Sequence, residues 1–201
     1  MANRSNSEQR RAEIVNGLLW AIAERGYAKA TIQLIAQRAG LTPGLLHYHF
    51  KTKAEILVEL VKTLSDQFSS RYAALATSAL TPQDFLFAYV NARLAKGDGE
   101  NPAVVAAWVM IGSEAVRLPE VREIYQQAIA KEFSLLKGLL KTYLASKGKP
   151  VRGVDKLAAG MVALMEGAFQ IASGAPGVMP SGYAASTAIK LIERYVDGEP
   201  S

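Results

Sequence analysis

Residues 31–55, TIQLIAQRAGLTPGLLHYHFKTKAE, decide how this chain is read. Thr31 can cap a helix in which Ile32, Ile35, Ala36 and Ala39 keep the three-and-four spacing of one buried face. Gly40 follows the last periodic residue, where a left-handed glycine commonly ends a helix, and Leu41 can pack back onto the helix it leaves. Thr42 is then a second N-cap, and Pro43 takes the first helical position, where its missing N–H costs nothing. The spacing predicts two short helices joined by a turn of about three residues, the helix-turn-helix arrangement.

The second helix, expected over 43–49, is too short to be stable alone. Leu45, Leu46 and Phe50 are expected to anchor it to the first, leaving Gly44, His47, Tyr48 and His49 outward. At its start, Thr42, Pro43 and Gly44 offer small, close-approach atoms suited to a thymine methyl or a phosphate. Lys51 and Lys53 flank it, and Thr31, at the start of the first helix, is counted with these candidate DNA contacts. Thr52-x-x-Glu55 reads as a capping box that opens the next helix, with Lys53 and free backbone N–H groups where a phosphate can sit.

Charge supports a polyanionic partner. Up to Lys53 the chain carries eight basic residues against three acidic ones, while the remainder carries 15 of each. All of the excess positive charge therefore lies in the part that holds the helix pair.

The run AQRAGLTPGLLHYHFKTKAEIL, residues 36–57, resembles the N-terminal domain of the TetR family of bacterial transcriptional repressors, in which a recognition helix ending in tyrosine-x-phenylalanine leads into a lysine-bearing fourth helix. The resemblance covers about the first 60 residues closely; beyond them it rests on length and all-helical character. It implies an all-α fold: an N-terminal three-helix helix-turn-helix DNA-binding domain over 1–53, then a larger helical ligand-binding and dimerisation domain over 54–201. By resemblance, Thr42, Pro43, Gly44, His47, Tyr48 and Lys53 fall on positions that contact operator DNA.

The rest of the chain reads as helix. The first is expected over 7–25, with Ile14, Val15, Leu18, Leu19 and Ile22 inward, a Ser5-x-x-Glu8 capping box and Gly26 as its stop. A long helix is expected over 54–80, bent or broken near Thr77 and Ser78, and Thr81-Pro82-x-Asp84 opens another that ends in the breaker stretch 97–101. Pro102 starts a helix that stops at Leu118-Pro119, and 119–145 reads as one long amphipathic helix before the basic loop SKGKPVRG. Two last helices, over 154–173 and 183–196, flank the connector GAPGVMPSG. On the first of these, Gly160, Ala163, Gly167 and Gly174 make a strip that permits close helix approach. Either a helix of the same subunit fills it or a second subunit does. Two-fold pairing doubles the DNA contacts of a helix-turn-helix, and the resembled family dimerises through its last two helices, so Gly160, Leu164, Gly167, Ile171, Ile189, Ile192 and Tyr195 are the candidate homodimer interface.

Phe85, Tyr89, Trp108, Met110, Tyr125, Phe133, Met165 and Phe169 supply enough aromatic and sulfur-bearing surface to line a small-molecule pocket between helices. Glu114 and Glu166 join them because each lies in an apolar stretch, where an unpaired carboxylate is expensive; either an Arg pairs with it or it faces a cavity. If Glu114 faces a cavity with Trp108 and a tyrosine, a cationic effector can be held by charge pairing and cation–π contact, and the segment WVMIGSEAVRLPEVREIYQ, residues 108–126, resembles the C-terminal domain of choline-responsive repressors, which points the same way.

Other classes fare worse. His47 and His49, the two histidines, stand at i and i+2 and point to different helix faces, so they form neither a metal site nor a relay. No Gly-rich phosphate loop follows a strand, and the absence of cysteine excludes disulfides and thiol chemistry. No catalytic residue, cofactor or metal is expected. No apolar run reaches membrane-spanning length and no signal-peptide core is present, so a cytoplasmic protein with no membrane partner is expected. The expected function is that of a ligand-responsive, sequence-specific transcriptional regulator, a repressor released by an effector from a pseudo-palindromic double-stranded operator. The alternative is a helical protein–protein interaction module with a basic N-terminal head.

Overall fold

The computed structural model describes residues 2–95 and 101–198. Among the described residues there are nine helices and no strand: α1 (Ala2–Arg25), α2 (Ile32–Arg38), α3 (Pro43–His49), α4 (Lys53–Ala76), α5 (Pro82–Leu94), α6 (Pro102–Ala115), α7 (Pro119–Ser146), α8 (Val154–Gly174) and α9 (Tyr183–Gly198). Helix α1 begins at Ala2, so Ser5 falls inside the helix instead of before it. Helix α4 ends at Ala76, just ahead of the expected break, and α6 ends at Ala115, where the N–H groups of Arg117 and Leu118 both reach the Glu114 carbonyl. The Thr81–Asp84 capping box forms in full, with Thr81 Oγ1 accepting from Asp84 N and Asp84 Oδ2 from Thr81 N. Of the breaker stretch, residues 97–100 lie outside the described residues and Asn101 is the N-cap of α6.

Packing divides the chain into two compact units, and not where the roles read from the sequence divide it. The first comprises Met1–Ser65 and Asn101–Ala128. The second comprises Asp66–Glu100 and Ile129–Ser201. Helices α4 and α7 each give their first part to the former and the rest to the latter.

In the first unit α1 presents Ile14, Val15, Leu18, Leu19 and Ile22 to the core, the face its periodicity predicts. Helix α2 crosses it closely at Gly17, where a Cβ would lie 2.7 Å from the Ile35 carbonyl oxygen. Gly40, at φ +67°, ends α2 in a Schellman turn: its own N–H reaches Gln37 O and that of Leu41 reaches Ala36 O. Helix α6 completes this core with Ala103, Ala107, Ile111 and Ala115, one residue per turn. In the second unit, α5, α8 and α9 bury Leu86, Tyr89, Met161, Met165, Ala188 and Ile192 among others, with Leu136, Leu140 and Tyr143 of α7.

Candidate nucleic-acid interface and effector site

Helix α3 is held by its ends. Thr42 Oγ1 accepts from Leu45 N at 3.3 Å, Pro43 occupies the first turn, and Phe50 closes the helix in extended conformation with its N–H on the Leu46 carbonyl. Leu46 is its one buried residue, and Phe50 is buried directly after it. Leu45 does not anchor the helix as expected; it is 40% exposed. Neighbours on a helix point about 100° apart, so on a two-turn helix only one of the two leucines meets the core.

The outward surface therefore comprises Thr42, Pro43, Gly44, Leu45, His47 and Tyr48, the last 75% exposed. Above Gly44 a Cβ would meet nothing within 4 Å. His49 is half-buried, with its ring edge-on to Tyr48 at 5.1 Å. Lys51 is exposed and its Nζ donates to the His47 carbonyl at 3.3 Å, while Thr31 is exposed and caps α2 through Leu34 N.

Two residues join this surface to the elements behind it. Arg11 of α1, absent from the expected set because basic charge was its only signal, donates from Nη1 to the His49 carbonyl at 2.8 Å. Its guanidinium also lies 4.0 Å over Phe50 and 3.5 Å from Glu59. Lys53, expected to face a phosphate, donates to the Tyr27 carbonyl at 2.8 Å and lies 4.1 Å over the Tyr27 ring. Burial holds its ammonium below the usual lysine range, against the pull of Glu120 and Glu114. Tyr27, itself buried, donates to Glu120 at 3.3 Å, and burial pushes its hydroxyl well above the usual tyrosine range. Only half of the Thr52–Glu55 box forms: Thr52 accepts from Glu55 N, but the Glu55 carboxylate reaches back to Lys51 N at 2.8 Å instead of Thr52 N. Both N–H groups precede the helix and lack a helical acceptor, so either one satisfies the carboxylate.

The expected effector residues fall on both units. In the first, Trp108 and Tyr125 pair at 5.1 Å, and Glu114 is 6% exposed with Arg117 3.5 Å away. A Cβ on Gly26 of that unit would come within 3.1 Å of Met110 and 3.3 Å of Glu114. In the second, Tyr89 and Met165 are fully buried, Glu166 and Phe169 are half-buried, and Phe85 is exposed at 39%. Here the structure adds two residues that the sequence did not single out, Arg93 and Glu132. Arg93 Nη2 lies 2.7 Å from Glu132 and 3.7 Å from Glu166, with its guanidinium 4.9 Å from the Phe68 ring and 5.1 Å from the Phe169 ring. Tyr89 donates to Glu132 at 3.1 Å and meets Phe68 edge-on. Burial raises the Glu132 carboxyl above its usual range, partly offset by Arg93. Both carboxylates flagged in apolar stretches thus have an arginine beside them.

On α8 the strip is open: Gly160, Ala163, Gly167 and Gly174 are exposed, and a Cβ at Gly160 or Gly167 would meet nothing within 4 Å. Leu164 and Ile171 border it, half-buried. Among the described residues α8 alone is long and apolar enough, by length and composition, to cross a membrane, against the expectation that no stretch would be; only 28% of that window is buried. The apolar residues that raise its hydropathy are split between a core face and the open strip. On α9, Ile189 and Tyr195 are half-buried, but Ile192 is fully buried in its own unit and lies off any outward face, where Leu191 stands at 44% exposure.

A profile of bacterial regulatory proteins of the tetR family matches residues 15–60, and one of the BetI-type transcriptional repressor C-terminal domain matches residues 82–200. The chain belongs to the TetR family. This TetR-family member is thus a ligand-responsive, DNA-binding transcriptional regulator, and the interaction-module alternative is not favoured. Its family is one of regulators, not of enzymes. The HTH-type transcriptional regulator BetI of Rhizobium meliloti is 29% identical over 163 residues, 80% of this chain and 76% of the relative. BetI of Brucella canis is 23% identical over 199 residues, covering 96% of this chain and 94% of the relative. A TetR-family regulator from Rhodococcus sp. shares the fold with a TM-score of 0.77 at 23% identity, covering 93% of this chain and 98% of that one. So does a transcriptional regulator from Saccharomonospora viridis in complex with choline, with a TM-score of 0.72 at 22% identity, covering 95% and 98%.

Proposed function

We propose that this regulator is a cytoplasmic repressor that binds a pseudo-palindromic operator as a homodimer and is released by a small organic cation. The observation that carries the reading is the outward face of α3, where Thr42, Pro43, Gly44, His47 and Tyr48 are exposed together on a helix fixed from behind by Leu46, Phe50 and Arg11. Thr31, Lys51 and Lys53 lie at its margins, the last engaged with Tyr27 and available to a phosphate only by leaving it. The open strip of α8 supports the dimer, because small residues let a second copy approach and Leu164 and Ile171 add apolar area at its border. Two recognition helices then enter successive major grooves about 34 Å apart.

Charge and aromatic surface support the effector class. The first unit holds the buried carboxylate of Glu114 and, in the same unit, the Trp108–Tyr125 pair; in the second, Glu132 and Glu166 stand with Phe68, Tyr89 and Phe169 around Arg93. The choline carried by the Saccharomonospora viridis neighbour belongs to the same ligand chemistry. Release by two orders of magnitude requires only about 2.7 kcal/mol of differential affinity between DNA-bound and free states.

A gel shift with the DNA upstream of the protein's own gene, repeated across a salt series and with choline, tests the whole reading. Salt-sensitive, sequence-selective binding that choline weakens is expected, with operator DNA weakening choline binding by the same factor. Equal affinity for random DNA would overturn the operator reading. Release by neutral aromatic or acyl compounds but not by choline would overturn the effector class.

A further inference from the structure

The Arg93 cluster has the composition of a receptor for a cation, and one of the chain's own side chains fills it. Phe68 and Phe169 stand about 5 Å from the guanidinium, at 4.9 and 5.1 Å, within the distance at which a ring attracts a positive charge. Two carboxylates, Glu132 and Glu166, face the Arg93 guanidinium, at 2.7 and 3.7 Å from the same Nη2. Glu132 is 9% exposed, Glu166 25% and Arg93 14%, so water screens little of the field. The fit is incomplete: Arg93 Nε is buried with no hydrogen-bond partner among the described residues. A buried N–H without an acceptor costs free energy. A quaternary ammonium has no N–H to satisfy, and a free guanidinium can turn within the cluster as a tethered one cannot.

We propose that Phe68, Phe169, Glu132 and Glu166 form a receptor for a small organic monocation of delocalised or quaternary charge, and that Arg93 is the resident cation an effector displaces. The proposal rests on the reading of a cation-responsive regulator and assigns the site and its gate. Arg93 lies in the last turn of α5, where a released cation faces the negative end of the helix. Phe68 lies on α4, the helix that begins at Lys53 immediately after the recognition helix, so exchanging the cation changes how the far part of α4 is held.

The test uses full-length Arg93→Ala. Calorimetric titration with choline and with ethylguanidinium is expected to give affinity at least tenfold tighter for the variant than for wild type, and both cations should raise the variant's Tm. Ethylurea, a neutral analogue, should do neither, and adding Glu166→Gln should weaken the gain. Cations that affect the variant no more than wild type, or no more than ethylurea does, overturn the proposal and leave Arg93 as a buried ion-pair residue. In wild type, nitrogen-15 NMR of the Arg93 Nε–H, assigned with Arg93→Lys, reads displacement directly: saturating choline or ethylguanidinium should turn a slowly exchanging proton into a fast one. If Arg93→Ala does not fold, this measurement decides, and a signal indifferent to both cations overturns the proposal. Tight cation binding by the variant, with no release of operator by choline in wild type, would uphold the receptor while removing the functional reading above.

Discussion

Helix α3 hides one side chain, Leu46, and turns the rest of its seven residues toward solvent or a margin, whereas the Arg93 cluster takes three charged side chains largely out of water and closes them with rings. The bounds of the first are set by contacts within a few residues, a threonine cap, a proline at the first turn and a Schellman turn before it, to which Arg11 adds one bond from 38 positions away. In the second, Arg93 bonds Glu132 across 39 positions and Tyr89 bonds the same carboxylate across 43. A surface that must meet a rigid partner can take its bounds from local contacts, be held from one side and be left open on the other. A site that must hold charge out of water has to be assembled from distant segments, because each buried charge needs its counter-charge beside it.

Substitutions can break that contrast. Glu132→Ala should show the largest effect, about 3–5 kcal/mol, because it strands the Arg93 guanidinium with only the more distant Glu166. Urea unfolding measures it, and a loss below about 1 kcal/mol would mean that the cluster is not closed to water. The milder Glu132→Gln carries a pH signature. Burial raises this carboxyl above 4.5, so its contribution is fully present below the ordinary carboxylate range and is lost as pH rises through the raised value. Wild type should therefore lose ground to the variant as pH climbs from about 4.5, and parallel stability curves would contradict the assignment.

Leu46→Ala should cost about 3 kcal/mol and most of the operator affinity, since it removes the single buried anchor of α3. Stability lost without a matching loss of DNA binding would show that Arg11 and Phe50 suffice to hold the helix. Gly17→Ala should cost about 1–3 kcal/mol, as the added Cβ would press on the Ile35 carbonyl from 2.7 Å and push α2 from α1. Both are read from thermal unfolding beside a gel shift. The smallest effect on stability, near zero, is expected for the exposed pair Tyr48→Ala and Lys51→Ala, which separate reading from gripping. Tyr48→Ala should weaken cognate binding more than random binding, while Lys51→Ala should weaken both and lower the salt slope by about 0.9. Equal losses on both DNAs for both variants would dissolve the distinction. Lys53 suits this comparison less well than the sequence implies, because its removal also breaks the Tyr27 carbonyl bond.

Local chemistry made part of this legible in advance. Gly40, Thr42, Pro43 and the Thr81–Asp84 box each act within four residues, so their roles follow from spacing, and the structure places them as spacing requires. Which side of a helix a residue takes is less legible. Leu45, expected to anchor α3 together with Leu46, is 40% exposed, and Ile192, a candidate for the dimer interface, is fully buried in its own unit. A periodic pattern gives the width of an apolar stripe but not its edge, which the neighbouring helix sets. Arg93 and Glu132 escaped for a different reason: each looks like an ordinary charged residue of an amphipathic helix until the partner that draws it inward is known.

By itself the sequence determined the helices, the caps of α2, α3 and α5, the position of the helix-turn-helix and the concentration of positive charge around it. These depend on interactions along the chain and on composition, and both are written in residue order. Tertiary structure alone decided that α6 and the start of α7 complete the core behind the reader, that Arg11 grips the end of α3, and that two carboxylates share one guanidinium between aromatic rings. Those facts concern which helix faces meet, and a helix pairs its faces with elements that its own sequence does not contain.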